Sequence, residues 1–391
     1  MFTPEETRSL LAEKGIGKTV LQRLQQMGLD DVAKLAATDV DDMLQQGAAL
    51  TGSTCWKNSP QAKAAVNAAI QWARQNLSDG LKLANQIIAH PKFDPAVLNR
   101  TKGQALTSLK QSLSDPGFLA GRAVTLLNYG SHPYANSARS SEESINGITL
   151  EDLSQFHRSH YAKNNAYVAI VGDINRKQAD QLVKNVLNGL PDRSKAAHTV
   201  PPVKPNPAQR RDIPFAGEQA QVLLGMPLIK RHDPDYYALV AGNYILGGGG
   251  FDSRLMKVLR DRYGYTYGVY SNLEPATEAG MFTIAYSTQK KNTKDSLVQA
   301  QAVIKQFIEE GPTEEELAQA KANIIGSFPL RFDSNAKLVK YLSIIGYHNL
   351  PNDYLEAYPK AIGKLTVAQV KDAWKRRVKP EDLHIVVVGA E

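Results

Sequence analysis

The sequence has one cysteine, Cys55, in 391 residues. That excludes an intrachain disulfide and any zinc site built from cysteine thiolates. No apolar run approaches the eighteen residues a membrane-spanning helix needs. The opening Met1-Phe-Thr-Pro-Glu-Glu-Thr-Arg8 is acidic and has no apolar core, so no signal peptide is read there. On that basis the chain is expected in the cytoplasm. Histidine is scarce, eight in all, and none precedes His90. Cys55, beside Trp56, therefore has no histidine near it in sequence to activate it and reads as a packing residue. Charge of one sign is also in short supply. The net charge is only +7, and residues 1–76 carry eight Lys/Arg against eight Asp/Glu. The basic residues form no block, which fits a solvated surface better than a polyanion-binding one.

What is present falls into unlike parts. Residues 1–76 read as short helices. Thr3-Pro4-Glu5-Glu6 is a helix opening, with a threonine cap, proline in the first turn and acids behind it. Lys14-Gly15-Ile16-Gly17-Lys18 before an amphipathic run, Thr19–Met27, is similar to a helix-hairpin-helix element. The Gly-x-Gly turn of such an element points backbone amides at a phosphate. Two readings stay open, DNA-backbone binding and a plain helical bundle, and the module's zero net charge weighs against the first. Residues 51–60 read as a loop and Pro60–Gln75 as an alanine-rich helix.

Beyond residue 77 the chain repeats itself. Ile148-Thr-Leu-Glu-Asp-Leu153 through Tyr167-Val-Ala-Ile-Val-Gly172 aligns without a gap, at an offset of 217, with Leu365-Thr-Val-Ala-Gln-Val370 through His384-Ile-Val-Val-Val-Gly389. Each copy predicts a threonine-capped helix, a polar turn and a buried strand ending in glycine. Leu98 and Lys102 likewise match Leu317 and Lys321, at an offset of 219. The second copy carries about a hundred residues before Thr313: strand 219–229, helix 234–246, a glycine-rich helix, and strands 265–273 and 280–288. Residues 1–76 look nothing like that stretch, so the first copy is expected to lack its front half. The domain organisation expected is a helical module at 1–76, the back half of a first repeat at 77–190, an extended linker with six prolines at 191–214, and a complete second domain at 215–391. The fold class expected is α+β, two-layer repeats preceded by a small all-α module.

In the second copy, Gly247-Gly-Gly-Gly250 interrupts an apolar helical run and opens a new helix with Asp252 and Ser253 available as caps. That helix ends in Arg260, Arg262 and Tyr263, stops at Gly264, and leads to Tyr265 and Tyr267. Arg260 in the last helical turns and Tyr267 near a strand start are placed to converge beside the glycine loop. The loop is no phosphate loop, because no Gly-Lys-Ser/Thr follows it. It serves either as a helix break for close packing or as part of a binding surface.

Several motifs carry a resemblance. They are Asp115-Pro116-x-x-Leu119-Ala120-x-Arg122-Ala123, Tyr129-Gly130-x-His132-Pro133-Tyr134, Asn165-Ala-Tyr-Val-Ala-Ile-Val-Gly172, Leu246-Gly-Gly-Gly-Gly-Phe-Asp-Ser-Arg-Leu255, and Leu259-Arg-Asp-Arg-Tyr-Gly-Tyr-Thr-Tyr-Gly-Val269. With them, residues 80–391 resemble the pitrilysin/insulinase-type zinc peptidases. The resemblance implies a chamber of paired α+β domains, with zinc held by an H-x-x-E-H motif. This sequence has no such motif. His157-Arg-Ser-His160 lacks the glutamate and the helical spacing, and Ser108 falls near the position of the family's further glutamate ligand. What the resemblance does carry over is Arg260 and Tyr267, seven residues apart, which in the family hold the substrate peptide bond opposite the zinc. Gly247, Gly248, Gly249 and Gly250 match its glycine-rich, substrate-facing segment. The implied function is a non-catalytic, substrate-positioning subunit that binds no cofactor itself and works on peptides with a zinc-bearing homologous partner. The alternatives are a binding protein on the same fold, or a fused product whose first module binds DNA. Many bacterial relatives of this type are periplasmic, which leaves the compartment open. His132, His157, His160 and His348 read as structural.

Overall fold

The computed structural model describes residues 1–196 and 199–389. It divides into two compact units. One comprises Met1–Phe93, Ser154–Ala196 and Ser334–Ser343; the other comprises Asp94–Leu153, Ala197–Asp333 and Ile344–Glu391. The fold class is α+β, as expected.

In the first unit, the amino-terminal residues form the helices Pro4–Leu11, Lys18–Gln26, Val32–Ala37, Val40–Thr51, Cys55–Asn58 and Pro60–Ala89. The Thr3 hydroxyl accepts from Glu6 N at 3.1 Å, and the Glu6 carboxylate accepts from Thr3 N at 2.7 Å, so the expected capping box is complete. Leu10, Leu24, Leu35, Met43, Val66 and Ile70 are among the residues that close a core of their own. Two expectations need correction here. The stretch 51–60 contains a helical turn, and its Trp56 ring packs against Gly47, where a Cβ would lie 2.3 Å from the ring. The alanine-rich helix runs on to Ala89, because nothing between Gln75 and Ala89 breaks it. The Cys55 side chain lies outside what the structure describes.

The second unit is built on a five-stranded sheet. Its strands are β1 (Arg210–Ile213), β2 (Gln219–Ile229), β3 (Val269–Leu273), β4 (Gly280–Gln289) and β5 (His384–Val388), in the order β1-β5-β2-β4-β3. Only β1 and β5 run parallel. Alternation along the strands sends two apolar sets to opposite faces. Leu223, Met281, Val386 and Val388 meet Ala120, Ala123 and Val124 of the helix Pro116–Tyr129. On the other face Phe282 meets Trp374, which also stacks edge-on with Phe307. Gly225 lets the first helix lie close: a Cβ there would sit 3.0 Å from Val124 Cγ2. The segment expected as an extended linker makes bonds along its length. His132 Nε2 bonds the Pro201 carbonyl at 2.8 Å, Asn206 Nδ2 donates to Leu127 O at 2.7 Å, and Arg210–Ile213 becomes β1. Carbonyls and a sheet edge gave this proline-rich segment partners that composition alone does not display.

The repeat is visible in bonds as well as in sequence. Lys102 Nζ donates to Asn146 O at 2.8 Å, and Lys321 Nζ donates to Gly363 O at 3.0 Å. Thr149 caps its helix reciprocally with Asp152, as Thr366 does with Gln369. The expected first-copy strand, however, is absent. Ala166–Val171 belongs to no sheet, and Val168 is 44% exposed, whereas Val386, Val387 and Val388 are fully buried. A strand needs neighbours to satisfy its backbone, and β2 and β1 have no counterpart among the described residues near the first copy.

Candidate functional site

The glycine-rich stretch begins where the helix Tyr236–Asn243 widens into π-type turns, Tyr244–Gly248, so the helix expected over 234–246 starts later and ends in wider turns. Gly249 N bonds Tyr244 O, five residues back, at 2.7 Å. Close approach accounts for three of the four glycines. A Cβ on Gly247 would lie 2.6 Å from Ser271 Oγ, on Gly248 2.8 Å from Asn243 Nδ2, and on Gly249 2.7 Å from Tyr244 O. Gly250 instead takes a left-handed turn at φ +68°, and Phe251 follows it out to solvent.

The next helix starts at Arg254, but neither expected side-chain cap acts as one. Ser253 is buried and donates to Gly250 O at 2.8 Å, which ties the loop to itself; Asp252 accepts from Gln319 Nε2 at 3.3 Å. Arg254 anchors this helix. It donates to both Glu316 carboxylate oxygens, at 2.8 and 2.7 Å, and to Gly311 O at 2.9 Å. Bonds from Arg254 help hold the Glu316 carboxyl below its usual range against the opposing effect of burial, which is individually the largest influence. From Met256 to Arg262 the helix again winds in π-type turns, a form common at functional sites.

Gly264 ends it at φ +63°. The following loop is fixed at several points. Tyr265 N bonds Leu259 O at 2.8 Å, Thr288 Oγ1 donates to Tyr265 O at 2.7 Å, and Thr266 Oγ1 both accepts from Gly268 N and donates to Gly268 O. β3 therefore begins at Val269 rather than at residue 265. The turn presents Tyr267, 84% exposed.

Arg260 and Tyr267 do converge. The Arg260 Cζ lies 5.5 Å from the Tyr267 ring centroid and 4.7 Å from that of Phe251 on the other side of the glycine turn. Its Nη1 also lies 3.3 Å from Asp261 Oδ1. The guanidinium is thus held by two exposed rings, each contact contributing about 0.5–1 kcal/mol at such a surface. Sequence reading missed Phe251; its signal was its place directly after the glycines, one loop from Arg260. Tyr263 and Tyr265 do not join the group but stack on each other, centroids 5.2 Å apart. In chemical terms, the arrangement offers a cation with free guanidinium edges and a neighbouring phenol, both suited to a carbonyl or carboxylate oxygen.

The other singled-out residues are engaged elsewhere. His157 Nε2 meets Ile88 O at 2.7 Å, and His160 stacks on Phe156 with centroids 4.1 Å apart. Burial, then the nearby Arg231 and His232, lowers the His348 pKa. Ser108 is exposed on the helix Pro95–Ser112. Among the described residues no three His, Cys, Asp or Glu side chains are grouped to hold a metal. The described residues do not fit the zinc ion that the resemblance implies.

Comparison with known proteins follows the same lines. A family model described as Peptidase M16 inactive domain matches residues 147–324. The crystal structure of a peptidase M16 inactive domain from Pseudomonas fluorescens is 35% identical, with a TM-score of 0.77 over 81% of this chain and 76% of that one. The chain belongs to the peptidase M16 family, as an inactive-domain homologue. The M16 chain is also 28% identical to the non-peptidase homolog YmxG of Helicobacter pylori, over 82% of this chain and 74% of the relative. It is 25% identical to the uncharacterized zinc protease SCO5738 of Streptomyces coelicolor, of which it spans only 53%. A periplasmic protease from Escherichia coli, PqqL, shares the fold at 17% identity and a TM-score of 0.66.

Proposed function

We propose that this M16 homologue is a substrate-positioning subunit that acts on peptides together with a zinc-bearing homologous chain. The observation that carries the reading is the Arg260 guanidinium held against Phe251 and Tyr267 in a chain whose sequence has no H-x-x-E-H. In this role Arg260 pins the substrate carbonyl by charge-assisted hydrogen bonds. Tyr267, exposed beside it, offers its hydroxyl to the oxyanion that forms as the peptide bond is attacked. The glycine turn at 247–250 packs closely on Ser271, Asn243 and Tyr244 and leads into Phe251. All metal chemistry belongs to the partner.

The test is to mix this chain with a zinc-bearing M16 homologue and follow cleavage of a fluorogenic peptide. Adding the chain should raise the rate. Tyr267→Phe should remove roughly 10²-fold of that gain, the usual cost of one oxyanion donor, and Arg260→Ala at least as much. Tyr267→Phe should keep its thermal midpoint, since the exposed ring stays on Arg260, and Arg260→Ala should lower it only by the roughly 1–2 kcal/mol of its two ring contacts. If cleavage rises equally with the double variant, the pair does not position substrate. If it does not rise at all, a binding role without proteolysis replaces this reading.

A further inference from the structure

The two copies of the repeat bury the same sequence pattern to different extents. In the second copy, Ala373 is 2% exposed and Trp374 fully buried; their first-copy equivalents are Phe156, 55% exposed, and the half-buried His157. Val386–Val388 are fully buried between β1 and β2, whereas Ala169–Val171 are half-buried and belong to no sheet. Leu83 and Ile87, 57% and 65% exposed, add further apolar surface in the same compact unit. This much apolar surface around an unpaired strand-forming segment marks an interaction face.

The second copy shows what covers such a face. There Ile385, Val386, Val387 and Val388 pair antiparallel with Leu224, Leu223, Val222 and Gln221. Carried back by the offset of 217, the positions are Val168, Ala169, Ile170 and Val171. We propose that residues 168–171 accept an antiparallel β-strand of the β2 type from the front half of an M16 module on another chain. The strand would take the register of β2 and bring its own apolar side chains onto Phe156 and Val168. A second copy of this chain is a poor donor. Its β2 is already paired with β4 on one side and β5 on the other, and lending it would dismantle that sheet. The inference does not depend on what Arg260 and Tyr267 do.

The probe is a synthetic peptide copying residues 218–226, read by amide hydrogen exchange on the full chain. Without peptide, the amides of 168–171 should exchange without protection while those of Val386–Val388 stay protected. Peptide at ten times its Kd should slow exchange at Ala169 and Val171, whose equivalents face β2, about tenfold, because binding suppresses the open state in proportion. A scrambled peptide should not. Ala169→Pro, which removes the N–H whose second-copy equivalent on Val386 faces β2, should abolish the slowing, and intact protection at Val386–Val388 in the same sample reports that the sheet is folded. Four results would overturn the proposal: protection of 168–171 in the free chain, no slowing at saturating peptide, equal slowing by the scrambled peptide, or slowing that follows chain concentration without peptide. The last would indicate self-pairing.

Discussion

Residues 148–172 and 365–389 are two near-parallel texts with different outcomes. Both open with a reciprocally capped threonine helix, and both set a lysine from the preceding long helix on a carbonyl at the same repeat position. Only the second ends in a strand. The difference lies outside both segments: β5 has β2 and β1 beside it, and Val168–Val171 has neither. Helix caps are local and survive the loss of neighbours, whereas strand structure is an agreement between segments.

The largest effect should come from the helix that ends just before each strand position. Trp374 is fully buried, in edge contact with Phe282 and Phe307. Trp374→Ala should cost about 3–5 kcal/mol in urea unfolding. His157→Ala, its first-copy equivalent, should cost about 1 kcal/mol, the value of its bond to Ile88 O. Equal losses would mean that the first copy is packed as tightly as the second, and would break the comparison.

A smaller effect distinguishes the copies by pH. His384 opens β5, is 1% exposed, and leaves Nε2 without a partner. Burial lowers its pKa. The folded state therefore holds it neutral while the unfolded chain takes up a proton near pH 6.5. Stability should be full above about pH 6.5 and fall as pH drops toward the lower folded pKa, by at most about 1.4 kcal/mol per pH unit. His384→Phe should flatten that slope in urea midpoints measured from pH 7.5 to 5. The first copy has Tyr167, not a histidine, at this position. An unchanged slope would assign the effect to other groups, His348 first among them.

The smallest effect concerns Gly103, inside the helix Pro95–Ser112, where the second copy has Ala322. Nothing lies within 4 Å of a Cβ built there. Gly103→Ala should raise stability by about 0.5–1 kcal/mol, read as an increase in thermal midpoint.

How much of this was legible in the sequence follows from range. The Thr3 and Thr366 caps, the Gly264 stop, and strands β2, β4 and β5 rest on residues within a few positions of each other or on long apolar alternation. Patterning also brought Arg260 and Tyr267 to one place. The π-type winding of Met256–Arg262, the tie of Ser253 to Gly250, and the docking of 201–213 depend on contacts made from elsewhere in the fold. Val168–Val171 failed as a strand for the complementary reason: its pattern was right and its neighbours were missing. Phe251 was overlooked because a lone aromatic after glycines has no period to announce it.

The rings against Arg260 have one more effect. A loose arginine surrenders about 2 kcal/mol of rotamer entropy when it is pinned by a ligand. Here Phe251, Tyr267 and Asp261 have already removed part of that freedom. An oxygen arriving at this guanidinium meets a donor already aimed, so a correspondingly larger share of the bond it makes is left as affinity.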